Sequence, residues 1–360
     1  MNKKTLTEID FYRIREEVAS YCVSEEGKTE LLNREPLSQL EKIEELKNCS
    51  KEWEKLSIIS RNSLVSSWEP IKFLIPIIKT RGAALSLEQV RAIGQFVISV
   101  KNVCQTIAYH SDELELKVLN DYAEKIPEYE DTEKKIFRVI TPSGELRDLP
   151  EIVAIRSKIA TLNQKIKNIM RTFTSDSKLA NVLESTVPVL RGNRQVLAVK
   201  SNQQNKIPGI IYEVSQSGQT VYIEPDEAVR CSNELIQLEH DLEVEIKRIL
   251  VELTESLQPS IPFFNAALPI MKLFDTTLAS CKWGMANNCT YAIPCSNKDE
   301  PPILLQARHP LLGEKCVPID IRFMDGKRVL IITGPNTGGK TVTLKTFALF
   351  SMLNQTGLPV

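Results

Sequence analysis

Residues 328–341 read Arg328-Val329-Leu330-Ile331-Ile332-Thr333-Gly334-Pro335-Asn336-Thr337-Gly338-Gly339-Lys340-Thr341. From Gly334 onward the stretch matches G-x-x-x-x-G-K-[ST] without gaps. The apolar run before it predicts a strand, and Val342 to Leu353 predicts an amphipathic helix, so the glycines fall at a strand-to-helix turn. Such a turn suits phosphate: glycine lets backbone N–H groups face phosphate oxygens, and a helix beginning near Lys340 adds its positive dipole end. In that geometry Lys340 neutralises β- and γ-phosphates, and the Thr341 hydroxyl supplies a ligand to a Mg2+ that bridges them. Gly334, Pro335, Asn336, Thr337, Gly338, Gly339, Lys340 and Thr341 are therefore the expected nucleotide-binding residues, with ATP and Mg2+ as the expected ligands.

Working outward, Pro302-Ile303-Leu304-Leu305 and Arg328 to Ile332 both read as buried strands, the apolar runs of a sheet covered on both faces. Hydrolysis also needs an acidic residue at the end of a second apolar strand, to complete the Mg2+ shell. No such Walker B strand follows before Val360, so this chain alone is expected to hydrolyse ATP poorly, and the sequence reads as an N-terminal fragment ending just after the loop helix.

Towards the N-terminus the periodicity is helical for about 125 residues. Ser38-x-x-Glu41 reads as a capping box before Leu40, Ile43, Leu46, Cys49, Trp53 and Leu56. Ser86-x-x-Gln89 reads as another, before Leu87, Val90, Ile93, Val97, Val100, Cys104 and Ile107. Pro127 ends this block, residues 128–147 read as a polar connection, and Thr141-Pro142-Ser143-Gly144 within it marks a turn.

Ile152, Ile155, Ile159, Leu162, Ile166 and Ile169 alternate three and four apart, the seam of a paired helix. After Pro225, Leu235, Leu238, Leu242, Ile246, Ile249 and Leu253 supply a candidate partner, so the two predict an antiparallel arm. Between them the pattern turns to strands. Val187–Leu190 and Gln195–Lys200 flank the hairpin pair Gly192-Asn193, while Gly209–Val214 and Thr220–Ile223 flank Ser215-Gln216-Ser217-Gly218. A further helix is expected from Pro259 through Trp283.

Net charge is −1, but it is unevenly spread. Residues 152–212 hold ten basic residues against Asp176 and Glu184, and no acid lies between Ser185 and Tyr212. Arg191, Arg194, Lys200 and Lys206 beside the hairpins are the candidate contacts to a phosphate backbone, which would bind without sequence choice. Solvated surface charge is the plainer alternative. The eight cysteines are scattered with no C-x-x-C pair, and Cys281, Cys289 and Cys295 fit no zinc spacing. No apolar signal-peptide core or membrane-length run is present, so a cytoplasmic protein with reduced thiols is expected. His110, His240 and His309 lack ligand partners in the pattern and read as non-catalytic.

Thr333 to Thr341 resembles the nucleotide loop of the MutS family of DNA-repair ATPases, and Arg308-His309-Pro310-Leu311-Leu312 resembles that family's entry to its ATPase domain. Gly209-Ile210-Ile211, with Ser215 to Pro225, is similar to the paralogue branch that lacks the mismatch-reading N-terminal domain. The resemblance spans nearly the whole chain. It implies a multidomain, mainly α protein: a helical core or lever at 1–130, a coiled-coil arm at 131–257 with a β clamp tip at about 183–224, a return helix at 258–286, and the truncated start of an α/β P-loop ATPase domain at 287–360. It further implies mismatch-repair or recombination chemistry on double-stranded or branched DNA, an ATP-driven change of state and a homodimer at full length. Where family members stack an aromatic on adenine, this chain has Cys316. The branch also suggests an alternative, a ribosome-associated ATPase acting on stalled ribosomes, since basic patches do not distinguish DNA from RNA.

Overall fold

A computed structural model of the chain describes residues 2–60, 64–295, 300–323, 327, 329–335 and 339–360. It is mainly helical, with a small antiparallel sheet, and divides into two compact units: residues up to Glu145 with Glu255–Val360, and Leu146–Thr254.

The chain begins with α1 (Lys3–Glu8), α2 (Phe11–Ala19), α3 (Glu25–Leu32) and α4 (Leu40–Ile59). After α5 (Ile75–Lys79) come α6 (Leu87–Leu114), α7 (Lys117–Ala123) and α8 (Glu130–Val139). The box predicted before α6 is formed: Gln89 N donates to Ser86 Oγ at 3.2 Å and Ser86 N to Gln89 Oε1 at 2.9 Å. The one predicted before α4 is not. Its N-cap is Gln39, so Ser38 lies a residue too early for its hydroxyl to meet the N3 amide. The polar stretch 128–147 is also not all connection, because α8 forms within it. Glu130, Asp131 and Glu133 favour its N-terminal dipole end, and Ile136 and Val139 are buried. The predicted turn follows, with Gly144 N on Thr141 O at 2.9 Å and Gly144 at φ 88°.

The second unit opens on α9 (Pro150–Ser175), with Pro150 at the first helical position, where its missing N–H removes nothing. Strands β1 (Val189–Arg191), β2 (Arg194–Lys200), β3 (Gly209–Val214) and β4 (Thr220–Pro225) form one antiparallel sheet in the order β1-β2-β4-β3. The β1–β2 turn has positive φ at both Gly192 (52°) and Asn193 (62°), as a two-residue hairpin requires. α10 (Asp226–Ser256) follows. Leu162, Ile166 and Met170 of α9, Leu197 and Val199 of β2, Val221 and Ile223 of β4, and Ala228 and Leu235 of α10 share one core. The apolar stripes of both helices therefore serve this sheet at one end. Farther along, Ile155 and Leu242 are only half-buried, while Ile152, Ile249 and Leu253 are buried again.

The chain returns through α11 (Ile261–Ala286), then β5 (Leu304–Ala307) pairs antiparallel with β6 (Ile319–Ile321), and α12 (Lys340–Gln355) ends the described elements. α11 is the axis of the first unit's core. Trp53 of α4 is fully buried, its Nε1 donates to Thr277 Oγ1 at 3.0 Å, and its ring meets Phe274 edge-on at 5.6 Å. Asp275 faces the start of α3, accepting from Val23 N, Ser24 N and Ser24 Oγ at 2.8, 3.0 and 2.6 Å, while Ser24 Oγ caps Gly27 N. Burial raises the Asp275 carboxyl above its usual range, and these three donors oppose that. Among the described residues no helix is long and apolar enough to cross a membrane.

The apolar runs expected as covered strands are not covered. Residues 329–332 form no strand, and Val329 and Ile331 are 78% and 79% exposed. Ile303 and Leu305 are also exposed. An apolar run becomes a buried strand only where neighbours pair with it, and among the described residues β5 and β6 pair only each other.

Candidate functional site

Two separate groups of side chains match the sequence-derived candidates, one at the head of α12 and one on the sheet between α9 and α10.

At the first, Gly334 has φ 150° and Gly339 has φ 77°, both in the region that favours glycine, and a Cβ added at either would meet nothing within 4 Å. Gly339 is the N-cap of α12, so the helix begins at Lys340, and Thr341 stands exposed one residue later. The first amides of a helix have no acceptor within it, which leaves this end as an electropositive terminus. The Lys340 ammonium turns back onto its own loop, donating to the carbonyl of Gly334 and to that of Pro335 at 3.0 Å. An anion in the loop would compete with these two carbonyls for the ammonium. Asn336, Thr337 and Gly338 lie outside the described residues.

His309 is buried, and among the described residues its Nδ1 has no hydrogen-bond partner. Loss of hydration holds its ring below the usual imidazole range, opposed by Asp10. Asp10 also pairs with Lys345 of α12 at 3.5 Å.

At the second group, the four basic candidates have different surroundings. Arg194 is largely enclosed: its guanidinium meets the fully buried Glu224 carboxylate at 2.9 Å, reaches Asn233 Oδ1 at 2.5 Å, and lies over the Tyr212 ring at 5.4 Å. Arg191 pairs with Glu213 at 2.9 Å and stacks over Tyr222 at 4.4 Å, but remains partly exposed. Lys200 closes β2 half-buried, and Lys206 is exposed at the end of the 3-10 turn Ser201–Lys206. Two arginines that look free in sequence therefore have acidic partners on β3 and β4. The acid-free run stops at Tyr212, one residue before Glu213, and sheet pairing brings both carboxylates across. The hint was Glu224 itself, a charged residue closing the apolar strand Val221-Tyr222-Ile223.

Comparison with known proteins gives a consistent picture. The chain is 32% identical over 369 residues to endonuclease MutS2 of Lactococcus lactis subsp. cremoris, covering 100% of this chain and 46% of that protein. It is 30% identical over 362 residues to endonuclease MutS2 of Thermotoga petrophila, with 99% and 45% covered. It is 29% identical over 371 residues to endonuclease MutS2 of Streptococcus pyogenes serotype M49, with 100% and 45% covered. No family model matches the chain. The chain spans about half the length of the curated MutS2 relatives it matches.

Proposed function

We propose that this chain carries the ATP-binding loop and the DNA-gripping tip of a MutS-family ATPase of the MutS2 type. The observation behind this reading is the unbroken Gly334–Thr341 motif at the head of α12, in a chain similar to MutS2 proteins along its whole length. Gly334 and Gly339 offer backbone amides to the phosphates, and Pro335, Asn336, Thr337 and Gly338 belong to the same proposed nucleotide-binding motif by sequence. Lys340 exchanges its two carbonyls for β- and γ-phosphate oxygens, and Thr341 contributes its hydroxyl to Mg2+. The magnesium supplies charge neutralisation at the phosphates; hydrolysis is assigned to the whole protein.

Arg191, Lys200 and Lys206 contact the backbone of double-stranded or branched DNA in repair or recombination, and Arg194 holds the sheet that presents them. ATP binding changes the grip, in a cytoplasmic homodimer. No observation favours the ribosome-associated alternative over this one.

The deciding experiment is titration of the full chain with a fluorescent ATP analogue and Mg2+, against Lys340→Ala. Loss of the ammonium is expected to weaken binding by tenfold or more, about 1.4 kcal/mol. Equal affinity in the two proteins would remove the assignment.

A further inference from the structure

Among the described residues of the first unit, Lys47 on α4 is a fully enclosed cation, 1% exposed. Its ammonium has three partners, each from a different part of the chain. It pairs with Glu44 one turn earlier on α4, donates at 2.8 Å to the carbonyl of Ala292, and donates at 3.0 Å to Asn354 Oδ1. Asn354 is in the last turn of α12, the helix whose first residue is Lys340. About 21 Å of rigid helix, fourteen residues at 1.5 Å each, separates the phosphate loop from this buried charge.

The same end of α12 is seated closely on α4. Gly357 sits at φ 73°, and a Cβ there would come within 2.6 Å of Leu46 Cβ, the residue beside Lys47. Leu37 N donates to Gln355 O at 2.8 Å, and Thr290 and Val360 exchange backbone hydrogen bonds at 2.8 and 2.7 Å. Apolar packing could have made this joint without a charge. A buried ammonium requires every partner in place, because removing one leaves an ion with incomplete solvation. The joint therefore tolerates little sliding of α12 against α4.

The geometry points to Lys47 as a coupling residue between α12 and α4: it fixes the far end of α12 and carries a change at the Lys340 end into α4. This rests on the nucleotide reading above, since only an occupied loop gives α12 a reason to shift. Coupling through one packed helix needs no further pathway, and it predicts an effect at a named place.

The test is hydrogen exchange of the full chain with and without adenylyl imidodiphosphate and Mg2+, read over residues 40–52, with affinity measured in parallel. In the unaltered protein, nucleotide is expected to change exchange in α4 by about threefold or more. In Lys47→Met that change should vanish while affinity stays within about threefold. Asn354→Ala, which leaves the cation and its other two partners, should reduce the change in the same direction and decides the matter if Lys47→Met does not fold. A full α4 response in Asn354→Ala, or an unaltered protein that binds nucleotide with no response in α4, overturns the inference alone. Failure of the unaltered protein to bind nucleotide overturns the nucleotide reading and this inference with it.

Discussion

The Glu224 carboxylate at the end of β4 is fully buried and meets the Arg194 guanidinium of β2 at 2.9 Å. Arg194→Ala leaves the carboxylate enclosed without a counter-charge and is expected to destabilise the second unit by about 3 kcal/mol. Urea denaturation followed by a probe on the sheet measures it. A loss below about 1 kcal/mol would mean that water reaches Glu224.

Gly209 begins β3 against the backbone of Glu224, where an added Cβ would come within 2.1 Å of the Glu224 carbonyl oxygen. The neighbour is main chain inside a sheet, so it has no rotamer to yield. Gly209→Ala should therefore detach the start of β3 at about 1–3 kcal/mol, read as faster amide exchange in residues 209–214. Gly192→Ala serves as contrast: its Cβ has open space but its φ is 52°, so it should strain the β1–β2 turn and leave β3 alone.

Lys200 and Lys206 have no acid partner in the described structure, whereas Arg191 and Arg194 each pair with a glutamate. If the tip holds DNA, Lys206→Glu should weaken binding to all duplex sequences alike and lower the salt slope by about 1. Titrations of duplex and branched DNA at several salt concentrations, with ribosomes in parallel, measure this. Unchanged slopes for Lys200→Glu and Lys206→Glu would assign these charges to solvent.

The parts of this architecture that could be read in advance are those set by local chemistry. Gly192-Asn193 specifies its turn through positive φ at both residues, and Ser86 and Gln89 complete a box because both partners lie within one turn. What escaped reading depends on residues far apart in sequence. Residues 329–332 are apolar enough for a covered strand, yet burial requires pairing strands that their own composition cannot supply. Arg194 and Arg191 look like free cations until the sheet brings Glu224 and Glu213 to them. Lys47 follows Glu44 and Glu45 in sequence, and its partners Ala292 and Asn354 lie more than 240 residues further along the chain.

Cys49 and Cys281 are buried, and loss of hydration pushes each thiol from about 9 up to about 12. Above pH 9 the unfolded chain releases these protons while the folded one retains them, so stability is intact below pH 9 and falls as pH rises towards 12. The urea midpoint is accordingly expected to drop between pH 8 and about 10.5. Cys49→Ala and Cys281→Ala should each lower the midpoint at pH 8 through lost packing and flatten its fall with pH. An unchanged slope would assign the alkaline loss to other groups.

Ser86 and Ser38 present the same four-residue pattern, with Gln89 and Glu41 three positions on, but only Ser86 is an N-cap. At α6 the hydroxyl accepts from Gln89 N, and removing it leaves that amide without its partner at the head of a 28-residue helix whose next turns bury Val90, Ile93 and Val97. At α4 the cap position belongs to Gln39, which makes no side-chain cap bond. Ser86→Ala should therefore cost about 1 kcal/mol and Ser38→Ala only a few tenths, in paired urea titrations of the full chain. Equal losses would mean that α4 starts a residue earlier in solution, with Ser38 as its cap, and that its first turn is then held by the reciprocal bond from Glu41.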